Sequence, residues 1–299
     1  AIEGGVAECV LALGFEQMNP GALGAVFEDR PNPLDKFIES ANEIEGKSKV
    51  PVALRLFGGA GLEHQKKYGT RDETFARVSQ KARLHAKHNP RAIFRDEVSI
   101  EEVLSSPPMH GVLTRLQCCP PTCGAAAALL TSEKFAKKHG LRSDVKITGQ
   151  SMTTDFPSSF EGKTMMQIVG SDMSQAAAND LYERAGIGPE DVDVVELHDC
   201  FTSNEIITYE ALQLTEQGGS EQFVSDGDNT YGGKVVVNPS GGLLSKGHPL
   251  GATGLGQCAE LVWQLRGEAG PRQVEGARVG LQHNLGLGGA CVVSLYQKV

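Results

Sequence analysis

The alternation of strand and helix patterns after residue 110 restricts the fold of this 299-residue chain more than any other sequence feature. Short runs rich in Val, Ile and Leu have the length of strands, and apolar residues spaced by three and four between them indicate helices. The predicted strands are 145–148, 192–197, 235–237, 279–282 and 290–296, and the clearest helices are 171–185 and 253–265. This pattern predicts a layered α/β domain with a mixed sheet covered by helices.

The part of the chain before residue 110 has a different character. Residues 1–8 are interpreted as the end of a helix that runs into a strand at 9–13, followed by a Gly/Pro-rich exit. The pattern of residues 31–110 predicts helices and loops with few strands. One of the predicted helices covers 74–88 and ends at Asn89-Pro90. We therefore expect three stretches that differ in architecture.

Composition excludes several classes of protein. The net charge of −9 argues against nucleic acid as a partner, because phosphate recognition needs a positive field. No apolar run approaches the roughly 18 residues of a membrane helix, so no membrane span is expected. The seven cysteines are odd in number and lack framework spacing, which is typical of free thiols in a reducing compartment. Cys118, Cys119 and Cys123 lack a second Cys/His pair at ligand spacing, so no metal is predicted.

One segment is locally basic inside this acidic chain. Between residues 64 and 95 the chain has two acidic side chains, Asp72 and Glu73, and nine positive ones. The nine are Lys66, Lys67, Arg71, Arg77, Lys81, Arg83, Lys87, Arg91 and Arg95. An excess of this kind is typical either of a site for an anionic ligand or of a solvated helix face, and charge alone leaves both open.

The first of three candidate loops directly follows the predicted strand 192–197. Residues 198–201 read His-Asp-Cys-Phe, which places His198 and Cys200 at a strand end, where α/β folds collect reactive groups. Free imidazole titrates near ~6.5 and a free thiol near ~8.5, so modest tuning lets either one act in acid/base or nucleophilic chemistry. A buried cysteine beside a helix-capping His-Asp pair fits the same pattern equally well.

The second loop places one histidine in a glycine-rich segment. Residues 238–254 hold His248 between Gly247 and Pro249, just before the predicted helix at 253. Glycines permit close backbone approach and positive φ, while proline restricts where the histidine points. We interpret His248 as a functional side chain rather than a purely structural one.

The third loop is predicted between the last two strands, over residues 283–291. Its backbone N–H groups, at Gly286 and Gly288 in particular, are candidates for part of an oxyanion hole. A tight turn that needs glycine dihedrals is the alternative. Cys291 enters the last strand and is interpreted as a core residue.

These three loops together resemble those of the thiolase family. The segment Gly-His-Pro-Leu-Gly-Ala-Thr-Gly at 247–254 is very specific for thiolases, and the resemblance extends more weakly through residues 31–110. Most thiolases have Asn-Glu-Ala-Phe where this chain has His-Asp-Cys-Phe, and a Cys-x-Gly loop where this chain has His283 or Leu285. Both departures are similar to the sterol-carrier-protein type of thiolase. In that type, the thiol of the first motif, here Cys200, takes the place of the cysteine in the Cys-x-Gly loop.

The resemblance implies a layered α-β-α-β-α fold of two similar mixed-sheet halves with an inserted helical loop domain. The first half, expected to be incomplete, would comprise residues 1–30 and 111–140. The loop domain would comprise residues 31–110 and cover coenzyme A, and the second half residues 141–299. The basic segment falls in this loop domain, which strengthens the anion-site hypothesis.

The resemblance also implies roles for individual residues. His248 would activate a nucleophilic cysteine and, with His198, polarise the thioester oxygen. Cys200 would carry the proton at the substrate α-carbon. The family's nucleophilic cysteine precedes the first strand, and none of this chain's cysteines matches its position, so we expect the chain as given to lack it.

The implied activity is 3-ketoacyl-CoA thiolysis through a covalent acyl-cysteine, giving acyl-CoA and acetyl- or propionyl-CoA in fatty-acid or sterol side-chain degradation. The same site would also run the condensation. Coenzyme A and acyl-CoA would be substrates, with no permanently bound cofactor. A homodimer and a peroxisomal location are expected by resemblance, with cytoplasm or mitochondrion as other compartments. The alternative is a truncated, non-catalytic thiolase-like protein that binds acyl-CoA or lipid.

Overall fold

The structure, a computed structural model, describes residues 1–19 and 29–299. In this part of the chain the strands are β1 (Cys9–Glu16), β2 (Pro108–His110), β3 (Leu113–Thr114), β4 (Gly124–Thr131), β5 (Val145–Thr153), β6 (Val194–Glu196), β7 (Val236–Val237), β8 (Val279–Gly286) and β9 (Ala290–Lys298). The longer helices are α1 (Asp35–Glu45), α2 (Val52–Tyr68), α3 (Asp72–Ala86), α8 (Ser171–Ala185), α9 (Thr202–Ala211) and α12 (Thr253–Arg266). The shorter ones are α4 (Ile100–Ser105), α5 (Glu133–His139), α6 (Ser158–Glu161), α7 (Met165–Ile168), α10 (Ser220–Ser225) and α11 (Gly242–Ser245).

The larger sheet has five strands in the order β5-β9-β8-β6-β7. Strands β8, β6 and β7 are parallel, whereas β5 and β9 are antiparallel to their neighbours. Strand β6, which lies between β8 and β7, is buried at every position and carries Val194, Val195 and Glu196. Because β6 and β7 are parallel neighbours, the loops that follow them emerge at the same edge of the sheet.

The smaller sheet pairs β1 with β4 in an antiparallel register that runs from Cys9 opposite Thr131 to Glu16 opposite Gly124. Helix α12 packs against both sheets, contacting β4 and β1 on one side and β8 and β6 on the other. The opposite face of the small sheet exposes a row of large apolar side chains. These are Leu11, Leu13, Phe15 and Leu129.

Helix α9 anchors the loop of residues 198–201 in the core. Every residue of α9 is buried, which is typical of a helix surrounded by protein on all sides. It contacts α2, α3 and α8, and its Tyr209 packs against Phe223 at a ring-centroid distance of 5.1 Å. The His-Asp-Cys-Phe loop therefore connects a buried strand directly to a buried helix.

The structure corrects two local predictions. Residues 1–8 form turns rather than the end of a helix, and β1 continues through Glu16. The predicted loop over 283–291 is largely strand, because β8 pairs with β9 from Val279 as far as Gly286. Only residues 287–289 connect the two strands. The helices predicted at 171–185 and 253–265 are confirmed.

Residues 31–110 form mainly helices, as predicted, together with a short β2–β3 hairpin. Four of the basic residues counted between 64 and 95 form ion pairs, and three of the carboxylate partners lie outside that window. The pairs are Arg71–Glu221, Arg77–Glu73, Lys81–Glu205 and Lys87–Glu97. The local charge excess is therefore smaller than the sequence count indicates. The proposed domain boundaries and the coenzyme A site in this region stay predictions.

None of the helices in the described part of the chain is both long and apolar enough to cross a bilayer.

Candidate functional site

The structure brings His198 and His248 together at the edge of the larger sheet. Their ring centroids are 4.9 Å apart, and the ring planes meet edge to face at 87°. His198 lies two residues after the end of β6, and His248 follows α11 in the segment after β7. Both imidazoles therefore lie in segments that leave the same edge of the sheet. Cys200 lies two residues beyond His198 and is buried. Three candidate residues from two distant segments thus share one location.

A segment that the sequence analysis considered only as a metal site holds both loops. Cys118 forms a β-bridge with Phe201, and the N–H of Cys119 donates to the carbonyl of Cys200 at 2.9 Å. A few residues later, the hydroxyl of Thr122 accepts from the N–H of His248 at 3.1 Å. Residues 118–122 therefore hold both loops, and they place a second thiol, Cys119, beside the first.

The hydrogen bonds of His248 fix the position of its proton. The hydroxyl of Thr253 donates to the carbonyl of Pro249 at 3.0 Å, so at 2.7 Å it accepts from Nδ1–H of His248. Nε2 then carries the free lone pair of a base. Burial lowers the pKa of His248 to about 4, and the positive charge of Lys246 contributes. His248 is therefore a neutral base at pH 7.

His198 is more deeply enclosed. Its Nδ1 is buried and has no hydrogen-bond partner among the residues that the structure describes. Burial holds the pKa of His198 well below its usual value, and His248 and His283 lower it further. A hydrogen bond with the side chain of Asn284 opposes this lowering. Since an unpartnered buried nitrogen is costly, it is a candidate contact for a bound polar group.

His283 supports His198 from a strand rather than from a loop. Its Nδ1 accepts the backbone N–H of His198 at 3.4 Å, which leaves Nε2–H to donate to Ser174 Oγ at 3.0 Å. The side chain of Gln257 donates to the carbonyl of His283 at 3.2 Å. Burial lowers the pKa of His283 to about 3. The sequence indicated this residue only by its place in the third loop.

The thiol of Cys200 is held in its protonated form. Burial raises the pKa of Cys200 well above its usual value, and the neighbouring Cys119 and Asp199 raise it further. The pKa of Cys119 is also raised, again mainly by burial. A thiol of this kind is a weak nucleophile in the resting state but can give up a proton to a strongly basic carbon.

A set of buried polar groups lies beneath the two loops. Asn238 follows β7 with φ of +55°, a left-handed conformation that asparagine tolerates. Its Oδ1 accepts the N–H of Leu197 at 2.8 Å, and its carbonyl accepts from His85 Nδ1 at 3.0 Å. Lys81 forms a buried ion pair with Glu205 next to it. The hydrogen bonds of Asn238 therefore connect the ends of β6 and β7 at the points where the two loops begin.

The structure places Gly286 at the end of β8 and Gly288 in the connection to β9, with φ of +99° at Gly288. Both glycines are exposed, whereas His198 and His248 are buried. The positive φ at Gly288 agrees with the alternative interpretation of a tight turn. The oxyanion role of these two glycines stays a prediction.

The environment of His248 predicts its titration. We expect NMR titration of the His248 ring to give a midpoint at a pH of about 4, far below the ~6.5 of a solvated imidazole. Lys246→Met removes a positive charge that disfavours the imidazolium, so this variant should titrate at a higher pH. A midpoint near ~6.5 in the unaltered protein would contradict the burial of the ring.

Two sheets with a helix packed between them, and a pair of histidines and a thiol in the segments that follow two parallel strands, define the class of fold as mixed α/β and thiolase-like. A family model described as the thiolase C-terminal domain matches residues 159–295. An acetyl-CoA acetyltransferase of Methanothermobacter thermautotrophicus is 35% identical over 100% of this chain and 75% of its own length. The chain belongs to the thiolase family.

The sterol-carrier type predicted from the His-Asp-Cys-Phe motif is confirmed. Sterol carrier protein 2 of Oryctolagus cuniculus is 60% identical over 99% of this chain. The chain spans about half, 54%, of that relative's length. Among solved structures, the Ltp2-ChsH2(DUF35) aldolase matches the fold with a TM-score of 0.82, at 21% identity, over 100% of this chain and 74% of that one.

Proposed function

We propose that the full-length protein cleaves 3-ketoacyl-CoA by thiolysis, with His198, Cys200 and His248 as its acid/base groups. The observation that carries the proposal is the pairing of the two buried imidazoles at 4.9 Å, with Nε2 of His248 free to accept a proton. The acetyl-CoA acetyltransferase relative supports an acyl transfer to or from coenzyme A.

In the proposed reaction, Nε2 of His248 takes the proton of a nucleophilic cysteine thiol. The proposal assigns that role to none of the seven cysteines of this chain. The resulting thiolate attacks the 3-keto carbon, and the bond between C2 and C3 breaks. The acyl group stays on the cysteine, and the electron pair stays on C2 of the leaving acetyl-CoA. An imidazolium at His248, once formed, can donate to the oxygen that becomes negative.

Cys200 would complete the first half of the reaction. The leaving carbanion takes the thiol proton of Cys200, which burial keeps in place until a strong base appears. In the second half, the thiolate of Cys200 takes the proton of the coenzyme A thiol as the coenzyme A sulfur attacks the acyl-cysteine. The bond between the acyl group and the cysteine sulfur breaks, and the released cysteine thiolate takes its proton back from the imidazolium of His248. The site then returns to its starting protonation state with acyl-CoA as product.

The substrates would be coenzyme A esters, as the resemblance to thiolases implies. A homodimer and a peroxisomal location belong to the same proposal. Chain length and branching of the acyl group would depend on residues outside the acid/base cluster.

The proposal is tested with the purified full-length protein, a 3-ketoacyl-CoA and coenzyme A. We expect equal amounts of acetyl-CoA and the shortened acyl-CoA by chromatography. Without coenzyme A, the protein mass should increase by one acyl group. Binding of the thioester without any consumption would instead indicate the non-catalytic acyl-CoA- or lipid-binding alternative and would contradict the proposal.

A further inference from the structure

A buried carboxyl group connects the two loops that carry the acid/base groups. Asp199 follows His198 in the chain and is fully buried. Its Oδ1 accepts the N–H of Leu243 at 2.7 Å, and its Oδ2 accepts the N–H of Leu244 at 3.3 Å. Both N–H groups belong to α11, which ends three residues before His248. One side chain therefore joins the backbone of one histidine to the helix that leads to the other.

The backbone opposite Asp199 is shaped for this contact. Gly242, the first residue of α11, has φ of +60°, a conformation that favours glycine. A Cβ atom at this position would overlap Oδ2 of Asp199. The close approach of helix and carboxylate thus depends on the absence of a side chain at Gly242.

A second carboxyl group holds the start of the same glycine-rich loop. Glu196, at the end of β6, accepts from the N–H and the hydroxyl of Ser240 at 3.0 Å and 2.8 Å. This contact fixes where the loop begins. Asp199 acts further along, within the His-Asp-Cys-Phe motif itself.

We infer that Asp199 is a positioning residue, whose two hydrogen bonds to α11 set the separation and orientation of His198 and His248. The inference rests on the proposed function, because it matters for turnover only if these two imidazoles act together. Asp199 itself touches no reacting atom in this scheme. Small displacements are enough, since a shift of about 1 Å in a reacting group costs on the order of 10²-fold in rate.

The chain offers a matched control at the other end of the same strand. Asp193, just before β6, also accepts two backbone N–H groups, those of Arg278 and Val279, at 2.7 Å and 2.9 Å. It lies at the end of the strand remote from His198. The two N–H groups on Asp199 go to separate oxygens, so asparagine, whose amide has one oxygen and an NH2 that cannot accept, loses one of these hydrogen bonds. Both N–H groups on Asp193 go to Oδ2, so the single amide oxygen of asparagine can keep them.

The test compares Asp199→Asn with Asp193→Asn in the full-length protein. For Asp199→Asn we expect kcat to fall about 10²-fold with KM for the 3-ketoacyl-CoA little changed. A crystal structure of this variant should show the imidazole centroids further apart than 4.9 Å or rotated away from edge to face. Asp193→Asn should keep the wild-type kcat and the wild-type ring geometry.

The inference is overturned if Asp199→Asn keeps the ring geometry and loses no more kcat than the control. Should Asp199→Asn fail to fold, Gly242→Ala is the second variant, since its methyl group displaces the same carboxylate. It should move the rings and lower kcat in the same way, and unchanged rings would overturn the inference. A wild-type protein without thiolysis would contradict the proposed function alone, because the ring geometry of the variants still tests the positioning.

Discussion

His248→Ala should reduce kcat for thiolysis about 10²- to 10⁴-fold in the full-length protein, the usual contribution of a general base. The variant removes the nitrogen that is free to take the thiol proton, while Thr253 and Pro249 retain their own hydrogen bond. The effect should fall on formation of the acyl-enzyme. Single-turnover mass measurement of the acylated protein reports that step directly.

A buried histidine far from the cluster provides the control for this variant. His64 is fully buried between Thr70 and Glu210, at 2.8 Å and 2.9 Å. His64→Ala should cost stability yet leave the rate of acylation per folded molecule near the wild-type value. Wild-type acylation by His248→Ala, or an equal loss in His64→Ala, would contradict the assignment of His248 as the base.

Cys200→Ala is expected to lower kcat by a similar factor, about 10²- to 10⁴-fold, through a different step. The proposed role of its thiol is proton transfer at the α-carbon. Because the same thiol also exchanges a proton with the sulfur of coenzyme A in the second half of the reaction, the variant should acquire an acyl group from acetyl-CoA more slowly than the wild type. It should no longer exchange the α-hydrogens of acetyl-CoA with deuterium from solvent, which mass spectrometry of the recovered acetyl-CoA measures.

The matched control is a second buried thiol. Cys291 lies in β9 next to Ser174, and burial raises its pKa to about 11. Cys291→Ala removes a thiol of similar environment from the core, so exchange should continue. Continued exchange in Cys200→Ala would show that another group carries the proton, and the proposed role would be wrong.

The sequence predicted the position of His198 well because strand ends are encoded locally, whereas His248 follows β7 only after α11. An apolar run such as 192–197 identifies the strand, and the polar residues that follow it must lie at its end. Segment 118–122 was missed for the opposite reason. The bridge between Cys118 and Phe201 joins residues far apart in the chain, and no local pattern encodes which segment lies beside which.

The third loop shows how strand pairing overrides local composition. The glycines after residue 283 predicted a loop, yet β9 supplies a partner for every residue of β8 up to Gly286. His283 is consequently a buried strand residue that supports His198. The basic segment illustrates the same limit, since Glu205 and Glu221 neutralise charges from more than a hundred residues away.

Burial of the imidazoles also makes the free energy of unfolding depend on pH. In the folded chain, burial lowers the pKa of His85 and His283 to about 3 and that of His248 to about 4. In the unfolded chain each returns to ~6.5, so there the unfolded form binds protons that the folded form does not. This contribution to stability is fully present above pH ~6.5. It is lost as the pH falls to about 4 for His248 and to about 3 for His85 and His283. For each histidine that stays neutral in the folded chain, the free energy of unfolding falls by about 1.4 kcal/mol per pH unit in that window. The burial that keeps His248 neutral at pH 7 therefore makes the folded chain sensitive to acid.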